Sequence, residues 1–93
     1  MFFVYILFSK KLNRFYIGTT DDIERRLREH NSGLYSGSFT SKGIPWELTL
    51  SYCCQSSEIA YKLERFIKKM KSKKFIISII ESEKIIDDIV LKL

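Results

Sequence analysis

The chain predicts an α+β fold, a three-stranded, mainly antiparallel sheet with flanking helices in the order β-β-α-β-α-α. Three observations carry this. Residues 2–8 form an unbroken apolar and aromatic run, which suits a strand covered on both faces. A five-residue turn, Ser9 to Asn13, joins it to a second strand over residues 14–18, and a connection that short requires an antiparallel hairpin. Later, Ala60, Leu63, Ile67 and Met70 recur at helical spacing, as an amphipathic helix on a sheet requires.

The remaining elements follow in order. Gly18 ends the second strand, and Thr19, Thr20, Asp21 and Asp22 offer side-chain acceptors for a helix N-terminus. That helix runs to about Asn31, with Ile23 and Leu27 on its buried face, and Ser32-Gly33 stops it. Residues 33–45, rich in Gly and Ser, read as a long loop. Trp46 to Cys53 is strand-like, and simple alternation puts Trp46, Leu48, Leu50 and Tyr52 on one face. Ser56-Ser57-Glu58 opens the longest helix, to about Lys71. Residues 73–80 and 83–92 read as two more short helices, the second carrying Ile85, Ile86, Ile89 and Val90. Residues 1–78 form the domain body, and 79–93 an isoleucine-rich helical tail packed on it or on a partner.

Ninety-three residues, 45% hydrophobic and 29% charged, make one globular domain with a modest core and not a disordered chain. The formal charge is +5. Residues 1–74 hold 14 basic and 7 acidic side chains (+7), and residues 75–93 hold 2 and 4 (−2), so the body carries the positive field. Such a field suits a polyanion. Cys53 and Cys54 are adjacent, a spacing that strains a disulfide, and no C-x-x-C zinc pattern exists, so both read as reduced thiols in a cytoplasmic protein. The N-terminal apolar run lacks a basic leader and is far shorter than a membrane helix, which argues against a membrane protein.

Several residues stand out at ordered spacings. Ten residues separate Tyr5 from Tyr16, Tyr16-Ile17-Gly18 follows, and Arg26 lies eight beyond Gly18. His30-Asn31-Ser32-Gly33 ends the first helix and Pro45-Trp46-Glu47-Leu48 enters the third strand. Glu58-Ile59-Ala60 precedes Glu64 and Ile67-Lys68 on the long helix. Together these resemble the GIY-YIG nuclease domain, in its small single-domain bacterial branch, over residues 2 to about 76. Tyr16-Ile17-Gly18 matches the second half of the family name, whereas Phe3-Val4-Tyr5 keeps only the tyrosine of the first.

The resemblance implies a metal-dependent endonuclease hydrolysing phosphodiester bonds in nucleic acid, DNA favoured over RNA, with structure-selective or weakly specific action. It implies Tyr5, Tyr16, Arg26, His30 and Glu64 as catalytic residues. Glu64 would hold one divalent metal, Mg²⁺ or else Mn²⁺, an ion that needs few protein ligands. Arg26 would donate to a phosphate oxygen and Tyr5 would orient or deprotonate water. Tyr16 and His30 would complete the network, and either could take the proton-transfer role instead.

Residue chemistry supports part of this directly. Arg26 and His30 lie four apart and share one side of their helix, and Glu64 borders the buried stripe, four residues before Lys68. That spacing also suits a helix ion pair between Glu64 and Lys68, which is compatible with a metal-ligand role. Lys68, Lys69 and Lys71 belong to a basic series with no acid between Glu64 and Lys74, and with Arg25, Arg28 and Lys42 they are candidates for phosphate contact. The alternatives are a nucleic-acid-binding module of the same fold without significant turnover, and an interaction protein whose tail docks a partner or a second copy.

Overall fold

The structure is a computed structural model and describes residues 1–33 and 39–93, with Phe39 described in its backbone only. Part of the expected long loop, residues 34–38, lies outside the described residues. The elements are β1 (Phe2–Ser9), β2 (Arg14–Thr20), α1 (Ile23–Asn31), the one-turn α2 (Phe39–Lys42), β3 (Trp46–Cys54), α3 (Ser57–Met70), α4 (Lys73–Glu81) and α5 (Glu83–Val90). The sheet order is β2-β1-β3, antiparallel throughout. The apolar run of β1 is thus the central strand, as its two-sided hydrophobicity requires.

Each face of β1 feeds its own core. Val4 and Ile6 join Ile17, Ala60, Leu63, Ile67, Ile79 and Ile86 in the larger cluster, beneath α3, α4 and α5. Tyr5 and Leu7 point the other way and join Trp46, with Tyr16, Ile23 and Leu27 packed around them beneath α1.

Three expectations need correction. Gly18 does not end the second strand, which continues to pair with β1 through Thr19 and Thr20. The β1–β3 register slips between Ile6, opposite Leu50, and Leu7, opposite Leu48, so Thr49 is an extra residue in a bulge. Its hydroxyl donates to the Ile6 carbonyl at 2.8 Å. The bulge reverses the alternation, so Trp46 lies in the Tyr5 cluster while Leu50 and Tyr52 pack on the opposite one. Met70 also leaves the apolar stripe and is 45% exposed. It ends α3 just before Lys71 turns left-handed at φ 48°.

Local chemistry fixes the helix starts. Asp22 caps α1 through Arg25 N (3.1 Å), Ser56 caps α3 through Ile59 N (3.2 Å), and Ser72 caps α4 through Phe75 N (3.0 Å). Each such cap contributes about 1 kcal/mol. The tail packs on the body: Ile79 and Ile86 are fully buried. Burial on that scale is worth roughly 1.5–3 kcal/mol per side chain. The Tyr52 hydroxyl also donates to Asp87 Oδ1 at 2.6 Å, tying β3 to α5. Both cysteines are free thiols, Cys53 exposed and Cys54 buried.

Candidate active site

The site straddles edge strand β2, with aromatic and basic groups on one face and a carboxylate on the other. Tyr5 projects from the middle of β1 opposite Gly18. Its phenol lies flat over that glycine, where a Cβ would stand 2.6 Å from Tyr5 Cζ. Glycine there is a matter of space, and it lets the phenol cross β2. Beyond it, Tyr5 Oη lies 3.1 Å from His30 Nε2. His30, only 2% exposed, sits in the last turn of α1. Arg26, one turn earlier, brings its guanidinium near enough to the same phenol for its charge to act on it. Its Nη1 also lies 3.5 Å from Glu29 Oε1. The Tyr16 ring completes the group, its centroid 4.8 Å from that of His30 and 6.3 Å from that of Tyr5.

The end of α1 is held by a contact that mimics strand pairing. Asn31 Nδ2 donates to the Trp46 carbonyl at 3.0 Å, and Trp46 N donates to Asn31 Oδ1 at 2.6 Å. The Trp46 indole donates in turn to the Thr40 carbonyl at 2.7 Å. Gly43 leaves room for that ring, since a Cβ there would come within 2.8 Å of Trp46 Cε2. His30 is thereby fixed from its neighbour in sequence.

Glu64 approaches from the other face. It accepts at Oε1 from the Thr19 hydroxyl (2.5 Å) and at Oε2 from the Lys68 ammonium (2.7 Å). Thr19 follows Gly18 and pairs with Val4, so this carboxylate meets β2 one residue from the phenol's crossing point. Its charge is felt at Tyr5.

Protonation follows from burial. Desolvation pushes the Tyr5 phenol above its usual 10.0, outweighing the Arg26 guanidinium, which pulls the other way. The phenol is therefore neutral at pH 7. Desolvation, reinforced by Arg26 and opposed by Glu29, holds His30 below its usual 6.5. The imidazole is therefore neutral as well, and Nε2 can accept the phenolic proton when the other nitrogen carries the ring hydrogen.

Of the residues expected from sequence, Tyr5, Tyr16, Arg26 and His30 come together on one face, and Glu64 joins them across β2. Lys68 and Lys71 line an open groove of about 610 Å³ between β2 and the α3–α4 junction, together with Arg14 and Lys73. Lys69 is exposed and does not line it. Arg25 is engaged on the outer face of α1 by Asp21 (3.1 Å) and Glu29 (4.0 Å). Arg28 lines a shallow hollow with Glu24 and Asn31, and Lys42 is exposed at the end of α2. Sequence reasoning gave Arg14 and Asn31 no role of their own, and it took Thr19 for an acceptor at the helix start, whereas Asp22 caps α1 and the Thr19 hydroxyl donates to Glu64. Asn31 alone left a signal, the His30-Asn31-Ser32-Gly33 pattern.

Among the described residues no group of three or more His, Cys, Asp or Glu could cage a metal ion. The donor set is one partly exposed carboxylate. That suits Mg²⁺, which keeps several waters and binds through one or two carboxylates plus substrate phosphate. It does not suit a structural zinc or calcium site.

The fold and this constellation define a small nuclease domain. The model of the GIY-YIG catalytic domain matches residues 1–76. The chain belongs to that family and is a GIY-YIG-type endonuclease. A UPF0213 protein of Vibrio campbellii is 38% identical over 72 residues, covering 76% of this chain and 67% of the relative. A UPF0213 protein of Syntrophus aciditrophicus is 40% identical over 68 residues, covering 73% and 77%. A protein of Trypanosoma cruzi named structure-specific endonuclease subunit SLX1 homolog 1 is 43% identical over 70 residues, covering 66% of this chain but only 13% of the relative. No solved structure matches. No helix among the described residues is long and apolar enough to cross a membrane.

Proposed function

We propose that the chain hydrolyses phosphodiester bonds in DNA by a Mg²⁺-dependent, structure-selective or weakly specific reaction. The observation that carries this is the buried Tyr5–His30 hydrogen bond beside Arg26, with Glu64 one strand residue away. The relatives named as structure-specific endonuclease subunits support it, as does the positive charge of the body.

A neutral phenol is a poor base by itself, and a neutral imidazole behind it makes a relay. Water attacks phosphorus while its proton passes to Tyr5 Oη, and the phenolic proton moves to His30 Nε2. The new P–O bond forms as the bond to the leaving oxygen breaks, and that oxygen takes a proton from solvent. Arg26, already directed at the phenol, donates to a nonbridging phosphate oxygen, where its planar fork outperforms a lysine. Tyr16 packs against the imidazole and keeps water from it. Glu64 would hold the metal, which when bound supplies Lewis acidity at the phosphate and leaving oxygens. Lys68 must then release Glu64 Oε2, at small cost, since an i,i+4 pair contributes only about 0.3–0.5 kcal/mol.

The test is incubation with nicked, branched, single-stranded and duplex DNA, and the matching RNAs, in Mg²⁺, in Mn²⁺ and in chelator. Cleavage of DNA that chelator abolishes supports the proposal. Cleavage in chelator, or of RNA alone, overturns it.

A further inference from the structure

The groove beside β2 differs in character from a simple phosphate track. Its rim carries Arg14, Lys68, Lys71 and Lys73, with no carboxylate among its lining residues. Its floor is apolar, built partly from Ile17 and Ile67, which are 7% and 1% exposed, and from the half-buried Phe15 and Ile76. At about 610 Å³ it has the size of a small-molecule site. A track for phosphates alone has no use for an apolar floor. A ligand that joins a flat apolar ring to a phosphate chain fits both parts.

The rim is held in place. The Lys73 ammonium donates to Asn13 Oδ1 at 2.8 Å, fixing it over the β1–β2 turn. Lys71 occupies the left-handed position that separates α3 from α4, so its side chain leaves the helix at the groove. Two lining residues tie the groove to the candidate active site: Tyr16, whose ring packs on His30, and Lys68, which bonds Glu64. The groove therefore borders the candidate site along β2.

We infer that this groove is a nucleotide subsite that holds one unpaired nucleotide next to the scissile phosphate, its base on the apolar floor and its phosphates on Arg14, Lys71 and Lys73. In a duplex both faces of each base are stacked and its edge is paired, so a double helix meets only the rim. The groove is thus the element that distinguishes unpaired from paired strand. Its role beside a scissile phosphate rests on the nuclease reading above, whereas its ability to hold a base does not.

The test uses the full chain in chelator, so that no cleavage intervenes. Fluorescence anisotropy compares a labelled oligothymidylate with an abasic oligomer of equal length and charge. Base contacts of the stacking kind are worth about 1–3 kcal/mol each, so the abasic oligomer should bind about 5-fold more weakly or worse. Arg14→Gln with Lys71→Gly removes two rim charges, and glycine suits the left-handed backbone at 71. This variant should lose affinity for oligothymidylate and most of the preference over the abasic strand, with its melting temperature kept. Lys84→Gln with Lys92→Gln makes the same change in net charge on α5 and just beyond its end, outside the groove, and should keep the preference. Equal affinity for the two oligomers overturns the inference, and so does a preference that survives Arg14→Gln/Lys71→Gly undiminished. Cleavage without base preference sinks the subsite alone, and base preference without cleavage sinks the nuclease reading alone.

Discussion

Replacing Gly18 with alanine puts a methyl group where the Tyr5 phenol lies. The added carbon would stand 2.6 Å from Tyr5 Cζ and 2.9 Å from Cε1. Carbon atoms rest at about 3.5–4.0 Å, so the ring must retreat by about 1 Å. It has little room to do so: Tyr5 is 1% exposed and packed with Leu7 and Trp46. Overpacking of this kind costs roughly 1–3 kcal/mol. For a domain of this size, about 2 kcal/mol lowers Tm by on the order of 8–16 °C. The same retreat pulls Tyr5 Oη off His30, now 3.1 Å away, and misplacement by about 1 Å costs a reacting group on the order of 10²-fold in rate. Thermal melts and single-turnover cleavage read the two effects. A Tyr5→Leu background separates sterics from backbone effects, because there the alanine has space and should add less than about 0.5 kcal/mol. A Gly18→Ala protein that melts within about 0.5 kcal/mol of wild type and cleaves normally would show that the phenol does not lie over β2.

Other perturbations probe other parts of the site. Asn31→Ala strands the Trp46 backbone N–H and carbonyl together and should cost about 2–4 kcal/mol by urea denaturation; a loss under about 0.5 kcal/mol would mean that water replaces the amide. His30 has its pKa held below 6.5, so the unfolded chain takes up this proton first. Its share of stability is therefore full above pH 6.5 and is lost as pH falls from there toward the lowered pKa. His30 is the only histidine, so denaturation between pH 7 and 5 should weaken wild type more than His30→Gln, and parallel curves would contradict the burial argument. The same shift sets the acid limb of kcat/KM below pH 6.5, and a limb above 6.5 would remove His30 as the proton acceptor.

What the sequence could say depended on how local the cause was. The two-sided apolar run of β1, the short hairpin and the Ala60–Leu63–Ile67 stripe are local patterns, and each became the element it suggested. The Arg26–His30 pairing on one helix side was legible for the same reason. The bulge at Thr49 was not, because neither glycine nor proline marks it and its cause is a partner strand more than forty residues away. That single extra residue moved Leu50 and Tyr52 to the opposite face from Trp46. The Asn31 clamp and the Thr19–Glu64 bond are likewise long-range, and a threonine at a strand end looks the same in sequence whether or not it meets a carboxylate. Charge counts alone could not separate Lys68 and Lys71, which line the groove, from Lys69, which does not.

The most direct measurement of the central claim is single-turnover cleavage of a branched DNA by wild type and Glu64→Gln in Mg²⁺. Glutamine keeps an acceptor for the Thr19 hydroxyl and loses only the charge and the pair with Lys68, so the fold should change by about 0.5 kcal/mol or less. A carboxylate that holds the catalytic metal is worth several kcal/mol in the transition state, so the variant should cleave at least about 10³-fold more slowly while binding the same DNA with similar affinity. Cleavage at the wild-type rate would make Glu64 a helix ion-pair partner of Lys68 and remove the metal from this site.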